Sequence, residues 1–320
     1  MKTHNYCIAI HGGAGTLLRE KMDARLRKKY ENALSAALDV GYAMLEGGGS
    51  ALDAVVASVS ALEDCPLFNA GRGSVFNARG EHEMDAAIME GSSRRVGAVA
   101  LVRRIRNPIH LARAVMEHTD HVLLAGKGAE RFARKMKIER KPKAYFFEAL
   151  RYKQFLEAKR ENKVRLDHDG GTFGTVGAVA LDASGKLAAA TSTGGMTNKR
   201  WGRIGDSPIP GAGTWADDRC AVSCTGTGEY FIRVHAAAQL SCLMRYGRQS
   251  LDAAARKVIF ESLQDIGGEG GLIAVDHRGH ISMPFNTEGM YRASRCRGEA
   301  AWIGIFGGEN GDALPNDQRI

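Results

Sequence analysis

Strand-like runs in this chain come in hairpin pairs, and helical runs cluster between the pairs. Thr175–Leu181 and Leu187–Thr191 flank a turn, Asp182-Ala183-Ser184-Gly185. Gly271–Asp276 and His280–Phe285 flank another, His277-Arg278-Gly279, and Met84–Met89 pairs with Val96–Val102 across a third. Between these lie helical patterns. Leu34, Ala37, Val40, Met44 and Leu45 recur at helical spacing within residues 24–47, and Gly47-Gly48-Gly49 ends that helix. Ser50 is expected to cap a second helix through Leu62, with Asp53 in the capping-box position. Pro108–His118 and residues 229–246 and 250–263 also read as helices. A hairpin sheet and an amphipathic helix each have an apolar face to cover, so the pattern implies sheets covered by helices in layers. Tyr6–Ile10 is expected to be a buried strand that runs into a glycine turn, His11-Gly12-Gly13-Ala14-Gly15.

Composition removes several classes of function. A chain of 320 residues, 44% hydrophobic, suits one large α/β domain or two small ones. No apolar run approaches the roughly 18 residues of a membrane span, so no membrane partner is expected. The first residues lack the apolar core and cleavage site of a secretory leader, which points to the cytoplasm. Cys7, Cys65, Cys220, Cys224, Cys242 and Cys296 are scattered and read as small buried thiols rather than a disulfide framework or zinc site. The net charge is +8, but Lys127–Arg165 alone carries fourteen Lys/Arg against five Glu. Such a stretch reads as a solvated helical face or a mobile segment, here residues 127–174, and no nucleic-acid-binding motif accompanies it. The loop at His11–Gly15 lacks the spacing of a phosphate cradle.

Chemistry centres on Gly174-Thr175-Val176-Gly177-Ala178-Val179-Ala180-Leu181. A threonine opening a buried strand is ordinarily a good strand residue and no more. Its company changes that. Downstream stand Thr191-Ser192-Thr193-Gly194-Gly195, Gly202-Arg203-Ile204-Gly205-Asp206-Ser207-Pro208 and Ser223-Cys224-Thr225-Gly226-Thr227-Gly228-Glu229. Upstream stand His11-Gly12-Gly13-Ala14-Gly15 and Phe68-Asn69-Ala70-Gly71-Arg72-Gly73. Together these resemble the plant-type asparaginase/isoaspartyl peptidase family of N-terminal-nucleophile hydrolases, over nearly the whole chain and in the right order.

The resemblance implies a single domain, a four-layer αββα sandwich, cut by itself between Gly174 and Thr175 into chains of residues 1–174 and 175–320. Cleavage makes chemical sense. A threonine hydroxyl is a poor nucleophile and needs a base; an N-terminal threonine brings its own α-amine, which ordinarily titrates at about 7.7–8.0. By resemblance, Thr175 is the nucleophile, Thr193 tunes it, Asn69 supports that network, and the Thr225 hydroxyl and Gly226 N–H stabilise the oxyanion. Arg203 would bind a substrate carboxylate through parallel N–H donors, Asp206 its ammonium, and Gly228 would add a backbone contact. No cofactor takes part in catalysis. Leu62, Glu63, Phe68 and Ala70 fall in the family's structural-sodium loop, which uses mainly backbone carbonyls. Two αβ units are expected to pair into a heterotetramer. The implied substrates are β-aspartyl dipeptides and L-asparagine. Glycosylated asparagine is an alternative substrate, and a non-catalytic polyanion-binding protein using residues 127–166 is a further alternative. Phe285–Arg292 also matches the family and is assigned no catalytic role. Arg200-Trp201 is bulkier and more charged than the family pattern at that place.

Overall fold

The structure, a computed structural model, describes residues 5–15, 19–164 and 174–308. It opens with strand β1 (Cys7–Gly15) and helices α1 (Ala24–Glu46) and α2 (Ala51–Asp64). Then come β2 (Met84–Glu90), β3 (Val96–Val102), α3 (Pro108–His118), β4 (Leu123–Ala125), α4 (Gly126–Lys135) and α5 (Ala149–Arg160). The second half holds β5 (Val176–Leu181), β6 (Leu187–Thr193), β7 (Thr214–Ala216), β8 (Cys220–Gly226), α6 (Gly228–Val234), α7 (Ala236–Arg245) and α8 (Leu251–Lys257). It ends with β9 (Gly270–Asp276), β10 (Ile281–Ser282), β11 (Gly289–Cys296) and β12 (Trp302–Phe306).

Two sheets result. The larger has eight strands in the order β12-β11-β1-β5-β6-β2-β3-β4, and the smaller has four, β10-β9-β8-β7. Period-two alternation within single strands builds three cores. Ile8 and Ile10 of β1, and Ala178 and Ala180 of β5, face helices α1 and α2 with Leu34, Leu38 and Val55. Their neighbours Cys7, Ala9, Val179 and Leu181 face the other way, against Ala221, Ile273 and Val275 of the smaller sheet. On that sheet's far side Val222, Cys224, Leu272 and Ala274 pack on Leu240 of α7, Ala255 of α8 and Val258 just beyond it. Helix, sheet, sheet, helix is the four-layer sandwich the sequence implies. Among the described residues no helix is long and apolar enough to cross a membrane.

Several local features differ from expectation. The glycine stretch after Ile10 is not a loop: β1 runs on to Gly15 and pairs with β11 throughout, with a register shift between His11 and Gly13. A side chain at Gly12 would put its Cβ 2.3 Å from the Phe68 ring, so the bulge needs glycine there. The helix expected over residues 229–246 is two, broken where His235 adopts a left-handed backbone at φ 49°. The basic stretch is more than a solvated face. Phe146, Arg151, Phe155 and Ala158 are buried, Phe155 packs 5.7 Å from the Phe76 ring, and Arg151 Nε donates to Gly73 O at 3.1 Å. The turn-rich residues 168–173, the chain before Asn5 and the tail after Gly308 lie outside the described residues.

Candidate active site

β5 lies at the middle of the larger sheet, between β1 and β6, and Thr175 immediately precedes it. Thr175 is 4% exposed. Its carbonyl accepts a hydrogen bond from His11 Nδ1 at 3.1 Å, and its hydroxyl lies 3.5 Å from Ser207 Oγ. Because His11 Nδ1 must carry the proton for that bond, Nε2 is left to accept from Ser223 Oγ, at 2.9 Å. The donors then run in one direction: Thr214 Oγ1 to Thr191 Oγ1 (2.6 Å), Thr191 to Ser223 (2.7 Å), Ser223 to His11. Burial pushes the His11 pKa down to about 3, which keeps the ring neutral and this polarity fixed.

Thr225, at the end of β8, faces the Gly174–Thr175 junction. Its Oγ1 accepts from Ala14 N at 3.2 Å, and a Cβ on Gly174 would lie 3.2 Å from the same atom. A hydroxyl has one proton to give, so Thr225 can donate to an oxygen developing beside Gly174. Gly226 follows it and closes β8.

Arg203 and Asp206 come from the turn between β6 and β7. Gly228, the first residue of α6, is where they meet: a Cβ there would stand 2.7 Å from Asp206 Oδ1 and 3.0 Å from Arg203 Nη2. Glycine at 228 therefore lets cation and carboxylate share one pocket wall. Asp206 is buried, its Oδ2 has no partner among the described residues, and desolvation raises its pKa to about 7 against the pull of Arg203. Arg203 forks onto Glu229, Nε to Oε1 at 2.8 Å and Nη2 to Oε2 at 2.7 Å. The guanidinium that sequence reasoning assigns to a substrate carboxylate thus already holds a protein carboxylate.

Thr193 and Asn69 act together on the Gly194–Gly195 turn. Thr193 Oγ1 accepts from Gly195 N at 2.9 Å, Asn69 Nδ2 donates to Gly195 O at 2.7 Å, and Asn69 Oδ1 accepts from Val75 N at 3.0 Å. Under this turn sits Lys199, whose Nζ is buried, 2.8 Å from Glu83 O and 3.7 Å from Asp85 Oδ2. Asp85 stands opposite Thr193 across β2 and β6.

Of the sodium-loop residues, Leu62 and Glu63 end α2, and Phe68 and Ala70 follow in the turn. The Leu62, Phe68 and Ala70 carbonyls each accept one backbone N–H, at 3.3, 2.9 and 3.1 Å. A carbonyl has two lone pairs, so each retains capacity for a hard cation. No cluster of His, Cys, Asp or Glu among the described residues offers a side-chain alternative. The Glu63 carboxyl does different work: it accepts from Ser192 Oγ at 2.6 Å and Ile109 N at 3.0 Å, and burial raises its pKa to about 8.

Sequence reasoning assigned no role to His11, Ser207, Ser223 and Glu229, although they lie within the motifs that carry the resemblance, and did not single out Lys199 or Asp85. The one local signal was polarity at buried strand positions, as with His11 after Cys7-Ile8-Ala9-Ile10. Trp201 is 97% exposed on a left-handed backbone (φ 55°), with Arg200 5.9 Å from its ring centre, so its side chain stands in solvent.

Known proteins resemble this chain over nearly its whole length. The family described as "Asparaginase" matches residues 4–305. The isoaspartyl peptidase of Escherichia coli is 52% identical over 314 residues, covering 96% of this chain and 98% of its own. The isoaspartyl peptidase/L-asparaginase of Danio rerio is 40% identical over 307 residues, covering 95% and 96%. With a family match over residues 4–305 and relatives of this identity aligned over nearly the whole of a two-sheet sandwich, this chain belongs to the asparaginase/isoaspartyl peptidase family.

Proposed function

We propose that this chain is an amidohydrolase that cuts itself before Thr175 and then hydrolyses β-aspartyl dipeptides and L-asparagine to L-aspartate. One observation carries the reading: the Arg203 guanidinium and the Asp206 carboxylate, whose Oδ2 has no hydrogen-bond partner among the described residues, converge on Gly228, and Ser207, the residue after Asp206, has its hydroxyl beside that of Thr175. A ligand with an ammonium and a carboxylate on one carbon satisfies both groups, and its side-chain amide then extends toward the nucleophile.

The Thr175 hydroxyl attacks the Gly174 carbonyl, and the Gly174–Thr175 amide becomes an ester that water hydrolyses. This frees the α-amine that serves as base for turnover. The hydroxyl then attacks the substrate's side-chain carbonyl, with Thr225 Oγ1 and the Gly226 N–H receiving the charge on its oxygen. The amine leaves with a proton, and water releases L-aspartate from the acyl-enzyme. Arg203 exchanges Glu229 for the substrate carboxylate, and Asp206 takes the ammonium. Thr193 and Asn69 hold the turn beside the nucleophile. The carbonyls of Leu62, Glu63, Phe68 and Ala70 would hold a sodium ion, which supplies rigidity to the turn carrying Asn69. Two αβ units pair as a heterotetramer that works in the cytoplasm; resemblance and the scattered cysteines support those two statements.

Intact mass and N-terminal sequencing, with Thr175→Ala as control, test the reading. Two chains are expected, the second beginning Thr-Val-Gly-Ala-Val, with release of aspartate from a β-aspartyl dipeptide, while the variant stays whole and inactive. A wild-type chain that stays at 34.5 kDa after prolonged incubation sinks it. Glycosylated asparagine as the preferred substrate would redirect it.

A further inference from the structure

Cys7 and Cys296 stand directly opposite each other on β1 and β11. The next pair outward, Tyr6 and Arg297, shares a ladder bond, Arg297 N to Tyr6 O at 2.9 Å. Bonded and non-bonded pairs alternate along an antiparallel ladder, so Cys7 and Cys296 form a non-bonded pair. Such pairs have Cα atoms about 4.5 Å apart and their side chains closest together. That spacing falls inside the roughly 4.4–6.8 Å a disulfide spans.

Both thiols point the same way, into the core between the sheets. They converge on one acceptor: Cys7 Sγ is 3.6 Å and Cys296 Sγ 4.0 Å from Gly279 O. Access is unequal. Cys7 has no exposed surface, whereas Cys296 keeps 9%. Their acidities are unequal in the same sense. The hydrogen bond between them and burial push the Cys7 thiol up, and that hydrogen bond holds Cys296 below the usual thiol range. Cys296 is the thiol a reagent reaches first and the better thiolate.

We propose that Cys7 and Cys296 are a disulfide-forming site, closed reversibly by small-molecule disulfides, whose bond ties the 1–174 chain covalently to the 175–320 chain. The tie between chains rests on the cleavage reading above; the bond itself does not. The Cys296 thiolate attacks a sulfur of glutathione disulfide, whose S–S bond breaks and releases one glutathione thiolate. Cys7 then loses its proton and attacks Cys296 Sγ, releasing the second glutathione thiolate. Two protein thiols are oxidised, and one disulfide is reduced to two thiols.

The test treats wild type, Cys296→Ser and the uncleaved Thr175→Ala variant with glutathione disulfide under native conditions. A non-reducing denaturing gel is run and the disulfide-linked peptides are mapped, because exposed Cys242 will also take up glutathione. Wild type is expected to run as one linked species near 34.5 kDa that splits into two on reduction, and Cys296→Ser as two chains throughout. In Thr175→Ala the map should still show a peptide joining Cys7 to Cys296, which separates failure of the bond from failure of cleavage. A map of folded protein in which Cys7 stays a free thiol, or Cys296 carries only glutathione, overturns the proposal.

Discussion

Burial raises the Asp206 carboxyl to a pKa of about 7, and Arg203 only partly offsets the lost hydration; its Oδ2 has no hydrogen-bond partner among the described residues. Below pH 7 the free site is therefore protonated, yet an ammonium ligand needs the carboxylate. Binding of L-aspartate should release a proton, and its affinity should fall about tenfold per pH unit below 7. Titration calorimetry in buffers of different ionisation enthalpy reads this directly; an affinity flat between pH 5 and 8 would refute it. For folding, the raised Asp206 pKa contributes stability that is full below its unfolded value of 3.8 and lost as pH rises through about 7. His11 works the other way: its contribution is full above 6.5 and lost as pH falls toward 3. Arg203→Lys removes the fork seen on Glu229 and needed by a substrate carboxylate. A loss of about 1.5–3 kcal/mol, or about 10–100-fold in kcat/KM, is expected mainly in KM; an unchanged KM would contradict the assignment. Thr175, Thr225, Arg203 and Asp206 stand out in the sequence because the chemistry proposed for them demands those residue types within a matching motif, and the fold brings Arg203 and Asp206 together at Gly228 and Thr225 to Gly174. The contacts of His11, Ser207 and Glu229, though these residues lie within the quoted motifs, were not legible, because their partners lie 164, 32 and 26 residues away and meet only in the fold.

At the scale of elements, strong periodicity translated well. Pro108–His118 matched its helix end to end, and Ser50 caps α2, accepting from Asp53 N at 3.1 Å. The short strands β4 and β7 and the longer β8, β11 and β12 were not read from the sequence. Cys220–Gly226 is buried almost throughout, and Gly289–Cys296 carries Arg292 inward, so neither alternates apolar with polar as a half-exposed strand does. The unread link between elements is the Lys199–Asp85 pair, which joins the turn after β6 to β2 beneath Thr193. Desolvation lowers the Lys199 pKa and raises that of Asp85, so each charge depends on the other. Lys199→Met strands a buried carboxylate and should cost about 3–5 kcal/mol in denaturant unfolding, with part of that loss restored in the Lys199→Met/Asp85→Asn double variant. Strictly additive losses would mean the two residues do not act as a pair.

For the whole molecule, strand order decides what the proposed self-cleavage would leave behind. β1 of the 1–174 segment lies between β11 and β5 of the 175–320 segment, and β6 of the latter pairs with β2 of the former. The smaller sheet and helices α6–α8 belong wholly to the 175–320 segment, but the larger sheet is shared, and the core between it and its helices draws Ile8, Leu34 and Val55 from one segment and Ala178, Ala190 and Tyr291 from the other. Cutting one peptide bond removes a tether but no ladder bond or core contact. The cut chains should elute together on size exclusion without denaturant. What changes is the unfolded state, now two molecules instead of one. Under reducing conditions the cleaved protein's denaturation midpoint should rise with protein concentration in excess of any rise shown by uncleaved Thr175→Ala, because reassembly gains one further association step. Equal concentration dependence in the two would mean that the segments stay joined or never separate on unfolding, contrary to a sheet shared by two independent chains.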